Sequence, residues 1–388
     1  VNGNYPLGQE RLITMTLTPF GGLTLTQQKA LAICPKVGAL LSMGGTVYIF
    51  LKIFASNRLN RPNRPEVVYN RLLLGLTIGD FAYALVAFLS TWPVPKDTIY
   101  RDYIWGEAGN QTTCDIQGFF SLWASLMAIV YMSSLSLYFL LIIRYKWALE
   151  RLQKIEPYMH GLAWIFASTA SVICVSKDLT NPFIVGCGVQ SYPLKCNSSK
   201  GVPCIRGENA VIYQWILVIT PTVVGLIFVS ACMIMMYATV RTRQSAAARF
   251  RRDGDTSETV DEQISEDFRR AWQFTGVYIF LSMPPLIAIF TFAISGKESF
   301  IIAMLRAIIA PMQGFFNAIV FSRDVEGELI RSIWDASYRT RARTPAAQRR
   351  ETSQLSSSNL ARNQSISQKN TSASENKNIG NSFVNVSE

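Results

Sequence analysis

The chain has 388 residues, 49% of them hydrophobic and only 16% charged, with a mean hydropathy of +0.20, which is too apolar for an ordinary water-soluble domain of this length. Its net charge of +11 comes from 37 Lys and Arg against 26 Asp and Glu. The cations cluster beside apolar runs rather than along a face interleaved with aromatics, which fits membrane orientation and argues against nucleic acid as a partner.

A bilayer core about 30 Å thick needs roughly 20 apolar helical residues. Seven segments meet or approach that length: Leu31–Phe54, Val68–Trp92, Cys114–Tyr145, Pro157–Val175, Val211–Val240, Ala271–Ile294 and Phe300–Phe321. The predicted fold is an all-α membrane protein, a seven-transmembrane helix bundle with an amphipathic cytoplasmic helix. Residues 1–29 form an extracellular N-terminus, 30–321 the bundle, 322–339 the amphipathic helix and 340–388 a disordered cytoplasmic tail. The N-terminal residues are polar and few, with no cysteine, and are expected to build no large ectodomain.

Segment one is bracketed by Lys36 and Lys52, long cations able to snorkel toward water. Segment two carries Asp80 about 16 Å from its inner end, near the bilayer centre. An ionisable group there costs at least ~2.5 kcal/mol and must face the bundle interior. Segment three opens on the sequon Asn110-Gln111-Thr112 and on Cys114, holds Ser133 and Ser134 near the depth of Asp80, and ends at Arg144. The only histidine, His160, lies near the inner start of segment four and reads as an interface residue. No set of metal ligands is present, and no cofactor is expected.

The outer loop before segment five holds Cys187, Cys196, Cys204 and the sequon Asn197-Ser198-Ser199. With Cys114 these make four cysteines on the outer side, where disulfides persist. They allow three pairings, and sequence alone does not choose among them. Cys114–Cys187 with Cys196–Cys204 is the preferred set. Segment five carries Pro221. Residues 242–267 then read as a polar inner loop, basic first and acidic at Glu266 and Asp267.

Segment six contains Pro284-Pro285, about 14 residues from its inner end, a pair that must kink or break the helix. The half below the prolines would then act as a lever. Segment seven carries Arg306 near its outer end, a candidate contact for an anionic ligand group. Lower down, Gln313 and Asn317 share one face. Depth counting places Gln313 level with Asp80, Ser133 and Ser134, and Asn317 about 6 Å lower. These five residues are grouped as a polar layer that either glues helices together or is remade between two packings. Arg144 with Glu266 or Asp267 is the candidate latch between segments three and six.

After Ser322, residues Val325, Leu329, Ile330, Ile333 and Trp334 fall on one helical face beside arginines, which suits a helix lying in the membrane interface. The tail beyond is rich in Ser, Thr, Asn and Gln. Its serines are candidate phosphorylation sites, which would bring kinases and arrestin-like proteins to the tail. Arginine and lysine crowd the loops after segments one, three and five and the region after seven, while the opposite loops are nearly balanced. The N-terminus is therefore expected outside and the C-terminus in the cytoplasm of a multi-pass plasma-membrane protein. The sequons at Asn110 and Asn197 fall on the predicted outer side, as glycosylation needs.

Several function classes drop out. Phosphate-binding and nucleophile-elbow motifs are absent, so no enzyme is expected. Retinal proteins hold a lysine in segment seven, and residues 300–321 contain none. Pumps and channels line a path with several carboxylates, whereas Asp80 stands out as the clear intramembrane one. A transporter or channel using the Asp80 layer remains the alternative reading.

Four stretches, "CDIQGFF" at 114–120, "LYFLLIIRYKW" at 137–147, "LERLQKIEPYMHGLAW" at 149–164 and "QGFFNAIVF" at 313–321, occur in order on the seven segments. Together they resemble G-protein-coupled receptors of the cyclic-AMP-receptor-like group, itself similar to secretin- and adhesion-type receptors. The resemblance covers roughly residues 66–335. It implies sensing of an extracellular ligand and activation of a heterotrimeric G protein. Cys114 resembles the family's segment-three cysteine and Cys187 its partner. Arg144 resembles the inner arginine of segment three, but Ile143 stands where many receptors have an acid. Cys187-Gly188 replaces the family's Cys-Trp. Nothing in the residues names the ligand.

Overall fold

A computed structural model describes residues 23–323, except 56–65, 101–103, 184, 195, 197–202, 251–256 and 296–298. The N-terminal residues 1–22, the interfacial helix beyond Arg323 and the tail lie outside the described residues.

Helices account for nearly all of the described chain. The first four spans are α1 (Leu25–Ala55), α2 (Glu66–Leu89), α3 (Gln111–Ile143) and α4 (Leu149–Ser176). A hairpin follows, in which β1 (Thr180–Phe183) pairs antiparallel with β2 (Gly186–Val189), Pro182 opposite Cys187. The fifth span comprises α5 (Ala210–Gln214), a π-helical turn (Trp215–Ile219) and α6 (Thr220–Phe250). The sixth is α7 (Ser257–Ser295). The seventh comprises α8 (Phe300–Ile309), a 3₁₀ turn (Ala310–Met312) and a helical stretch over 313–323.

Six spans are long and apolar enough to cross a membrane among the described residues. The remaining one, α7, becomes apolar from Ala271 onward, below a polar beginning. Two expectations change here. Segment four starts at Leu149, eight residues before Pro157, because Leu152 and Glu156 supply a buried face to the extra turns. The inner loop 242–267 is largely helix, since α6 runs on to Phe250 and α7 begins at Ser257. Alanine, arginine and glutamine at 243–249 are strong helix formers, so the helix continues past the apolar run.

The central span is α3, which packs against α2, α4, α6 and α7. Its core side includes Leu126, Met127, Tyr131 and Leu135. Large apolar side chains such as Ile165 on α4 and Ile234 on α6 stay exposed on the outside of the bundle. Hydrocarbon is the solvent there, so no burial is demanded.

Helices one and seven approach through small residues. A Cβ on Gly45 would lie 2.7 Å from the Gly314 carbonyl oxygen, and one on Gly314 2.6 Å from Ser42 Oγ. That closeness lets the Gly314 N–H donate to Ser42 Oγ at 3.0 Å. Without a hydrophobic force between helices in lipid, close backbone packing of this kind holds spans together.

Lys36 does not snorkel. Its Nζ donates to the Phe88 carbonyl at 2.7 Å and sits 3.8 Å from the centre of the Trp92 ring. The ammonium thus caps the C-terminal end of α2, where carbonyls have no helical partner and the dipole favours a cation. The proline pair does not break its helix. Helix α7 is continuous through Pro284 and Pro285. Pro221 follows the π-helical turn, where Thr222 Oγ1 donates to the Val218 carbonyl at 2.6 Å.

Candidate functional site

The N-terminal end of α3, expected to face outward, is the anchor of a built cap. Asn110 caps the helix: its side chain accepts from Thr113 N, while Thr113 Oγ1 accepts from Asn110 N. One turn further, Cys114 is bonded to Cys187 of β2, and Cys196 is bonded to Cys204. Gln117, nearly another turn down, accepts from Cys187 N at 3.0 Å and donates to the Ser90 carbonyl at 2.7 Å. Gly186 has φ +146°, and a Cβ there would lie 3.2 Å from Ser90 O and from the Gln117 amide, so only glycine suits the position.

Asp115 makes a second, ionic attachment. Its Oδ1 accepts from Gln111 Nε2 at 2.9 Å, Thr180 Oγ1 at 2.6 Å and Arg206 Nη2 at 3.3 Å. Arg206 also pairs with Asp178 at 2.8 Å. Tyr192 receives the Ile99 N–H at 2.8 Å, and the Tyr100 hydroxyl receives the Leu194 N–H. Burial raises both phenols above their ordinary values. The hairpin is therefore a lid fixed to this end of α3. Arg306 approaches it, with the guanidinium 5.7 Å from the centre of the Phe183 ring.

The mid-membrane layer assembles differently from the depth count. Asp80, 4% exposed, accepts from Asn317 Nδ2 at 2.7 Å. Gln313, placed level with Asp80 by counting, has a buried Nε2 without a hydrogen-bond partner among the described residues. Ser133 and Ser134 return their hydroxyls to the Ile129 and Val130 carbonyls of their own helix, each at 2.8 Å. Counting failed because it assumed helices ending in one plane. Asp80 lies 14 residues from the α2 start at Glu66, whereas Asn317 lies six from Arg323.

At the inner end, Arg144 Nη1 donates to Thr239 Oγ1 of α6 at 3.0 Å. The side chains of Glu266 and Asp267 lie outside the described residues, so the expected latch has one described member. The described partner of Arg144 is on the fifth span rather than the sixth. Nearby, Arg71 of α2 pairs with Glu156 of α4 at 3.4 Å. His160 Nδ1 is 2.8 Å from the Tyr131 hydroxyl, an interface role as expected. The glycosylation candidate Asn110 is exposed at the cap, while Asn197 lies outside the described residues.

Sequence reasoning missed Asp115, Gln117 and Arg206, and it read Lys36 as a snorkelling cation rather than as the cap of α2. A signal existed for the first two: Asp115 and Gln117 flank a half turn of α3 beside Cys114, so whatever Cys114 holds, they must touch. Lys36 carried no such signal.

No protein-family model matches the chain, and no curated protein matches it. Among solved structures, the crystal structure of squid rhodopsin is similar, with a TM-score of 0.53 over 78% of this chain and 79% of that one, at 15% sequence identity. At that identity the likeness is one of fold. The chain has a rhodopsin-like fold of seven helical spans, six of them long and apolar enough among the described residues to cross a membrane, with two disulfides at one end of the bundle.

Proposed function

We propose that this chain is a plasma-membrane receptor that senses a small extracellular ligand and activates a heterotrimeric G protein. The observation that carries the reading is the receptor-like fold closed by a lid that is bonded covalently and ionically to the central helix. A ligand beneath that lid would meet Arg306 and Phe183, so an anionic group is favoured. A ligand shifts the bundle only by binding one packing better than the other. The favoured motion is an outward swing of the α7 half below Pro284 and Pro285, with Arg144 at the G-protein face. The N-terminus is outside, and the tail serines are sites for kinases and arrestin-like proteins.

The sequence stretches that resemble cyclic-AMP-receptor-like receptors support the same reading and a place in that group. The Asp80–Asn317 pair is the proposed mid-membrane switch, with Gln313, Ser133 and Ser134 close to it in sequence or depth. The test is a ligand screen in cells read out by G-protein dissociation. A transporter or channel would instead give flux or current that vanishes in Asp80→Asn, with no G-protein response to any ligand.

A further inference from the structure

Spans two, three and six meet at four rings on the inner side. Tyr69 of α2 lies 6.3 Å from Tyr138 and 5.8 Å from Phe139 of α3, measured between ring centres. Phe274 of α7 stands edge-on to Tyr69 at 6.2 Å, with the ring planes 68° apart. All four rings are buried, Phe274 to 1% exposure. Arg144, the charged group at this end of α3, is turned to Thr239. Phe274 lies ten residues before Pro284, in the half of α7 below the prolines. An outward swing of that half pulls its ring off Tyr69.

We propose that this aromatic clasp, Phe274 on Tyr69 with Tyr138 and Phe139 as its floor, holds the inner face of the bundle closed. Rings 4.5–7 Å apart in an edge-on arrangement attract each other beyond simple burial. Hydrocarbon gives apolar groups little reason to gather, so directional ring contact and close packing decide which packing wins in a bilayer. A charge latch at the cytoplasmic surface weakens as salt rises. The clasp carries no charge and does not. The proposal rests on the receptor reading only for what the opening is used for.

The test uses the full chain in lipid nanodiscs, with Cys34→Ser and spin labels at Lys154→Cys on α4 and Arg269→Cys on α7, both exposed sites. Pulsed electron resonance reads the distance between the two inner ends. Phe274→Leu keeps apolar volume and removes the ring, which guards against unfolding by Phe274→Ala. The longer-distance population should rise roughly 2- to 13-fold, the range expected for one lost ring pair. It should be the same at low and high salt. Tyr69→Leu combined with Phe274→Leu should open the face no further than either change alone. A Phe274→Leu distribution identical to the parent's, or a larger opening in Arg144→Ala than in Phe274→Leu, overturns the clasp. Nucleotide exchange on G protein is measured in the same discs. A distance shift without exchange under any condition sinks G-protein coupling and leaves the clasp standing.

Discussion

The two amides of the seventh span offer a sharp test, because the bundle treats them oppositely. Asn317 donates to the buried Asp80 carboxylate at 2.7 Å, whereas Gln313 Nε2 has no such partner. Asn317→Ala removes the only described donor to Asp80. In water-soluble proteins a hydrogen bond to a charged group is worth about 1.5–3 kcal/mol. Between membrane helices the measured mean is nearer 0.6, with a maximum of about 1.7 kcal/mol, since the separated helices find other partners. The membrane figure governs here, and the stranded carboxylate adds to it, so a loss of about 1–2 kcal/mol is expected. At roughly 2–4 °C per kcal/mol for chains of 150–250 residues, the melting point should fall by roughly 2–8 °C. Cys174 and Cys232 are free and buried at 0% and 1% exposure, so in a Cys34→Ser background, which removes the half-buried third thiol, a thiol-reactive dye reports unfolding. Gln313→Ala should shift the midpoint by less than Asn317→Ala. If Gln313→Ala proves the more destabilising change, or Asn317→Ala melts with the parent, the pairing of spans two and seven has been assigned to the wrong residue.

The glycines of α1 make a paired prediction. Gly45→Ala should destabilise the bundle measurably by pushing on the Gly314 backbone, while Gly44→Ala, with open space around its Cβ, should be neutral or slightly stabilising in the same dye assay. Asp115→Asn leaves Thr180 and Arg206 without their shared carboxylate, so amide exchange across residues 180–189 should quicken even with Cys114–Cys187 intact. Mass mapping without reductant should recover Cys114 joined to Cys187 and Cys196 joined to Cys204; a free Cys114 thiol refutes the cap as described. Lys36→Met uncovers the Phe88 carbonyl at the end of α2 and should lower the melting point by a few degrees, at about 0.3–2 kcal/mol for a lost cation at a helix C-terminus.

The spans themselves were legible because a membrane imposes one requirement on every crossing helix: length in apolar residues. That requirement is local, so a window along the chain reads it. Orientation between helices is not local. The partner of Asp80 depends on where α2 and the seventh span sit along their axes, and apolar ends report this poorly when polar helix continues beyond them, as at Glu66 and in α6. The role of Lys36 depends on which helix end lies beside it. Phe274 was invisible for the opposite reason: an apolar ring in an apolar span carries no mark of the neighbour it meets. The cysteines were more readable because those that pair are few and sit at one end of the bundle.

The packing also says which helix is free to move. The seventh span is pinned to α1 by backbone contact at Gly45 and Gly314, and to α2 by Asp80 and Asn317. Helix α2 is pinned to α4 through Arg71 and Glu156, and its outer end is capped by Lys36 of α1. The outer end of α3 is bonded to the lid. These attachments are hydrogen bonds, ion pairs, a disulfide or backbone contacts, each of which resists sliding because it joins one particular pair of groups in one geometry. The described contacts on the inner half of α7 include one of another kind, Phe274 on Tyr69, which holds by ring packing rather than by a hydrogen bond or an ion pair between the two helices. A helix that must swing while its neighbours stay fixed is best held by contacts of that sort, and the position of Phe274 below Pro284 and Pro285 puts such a contact on the lever itself.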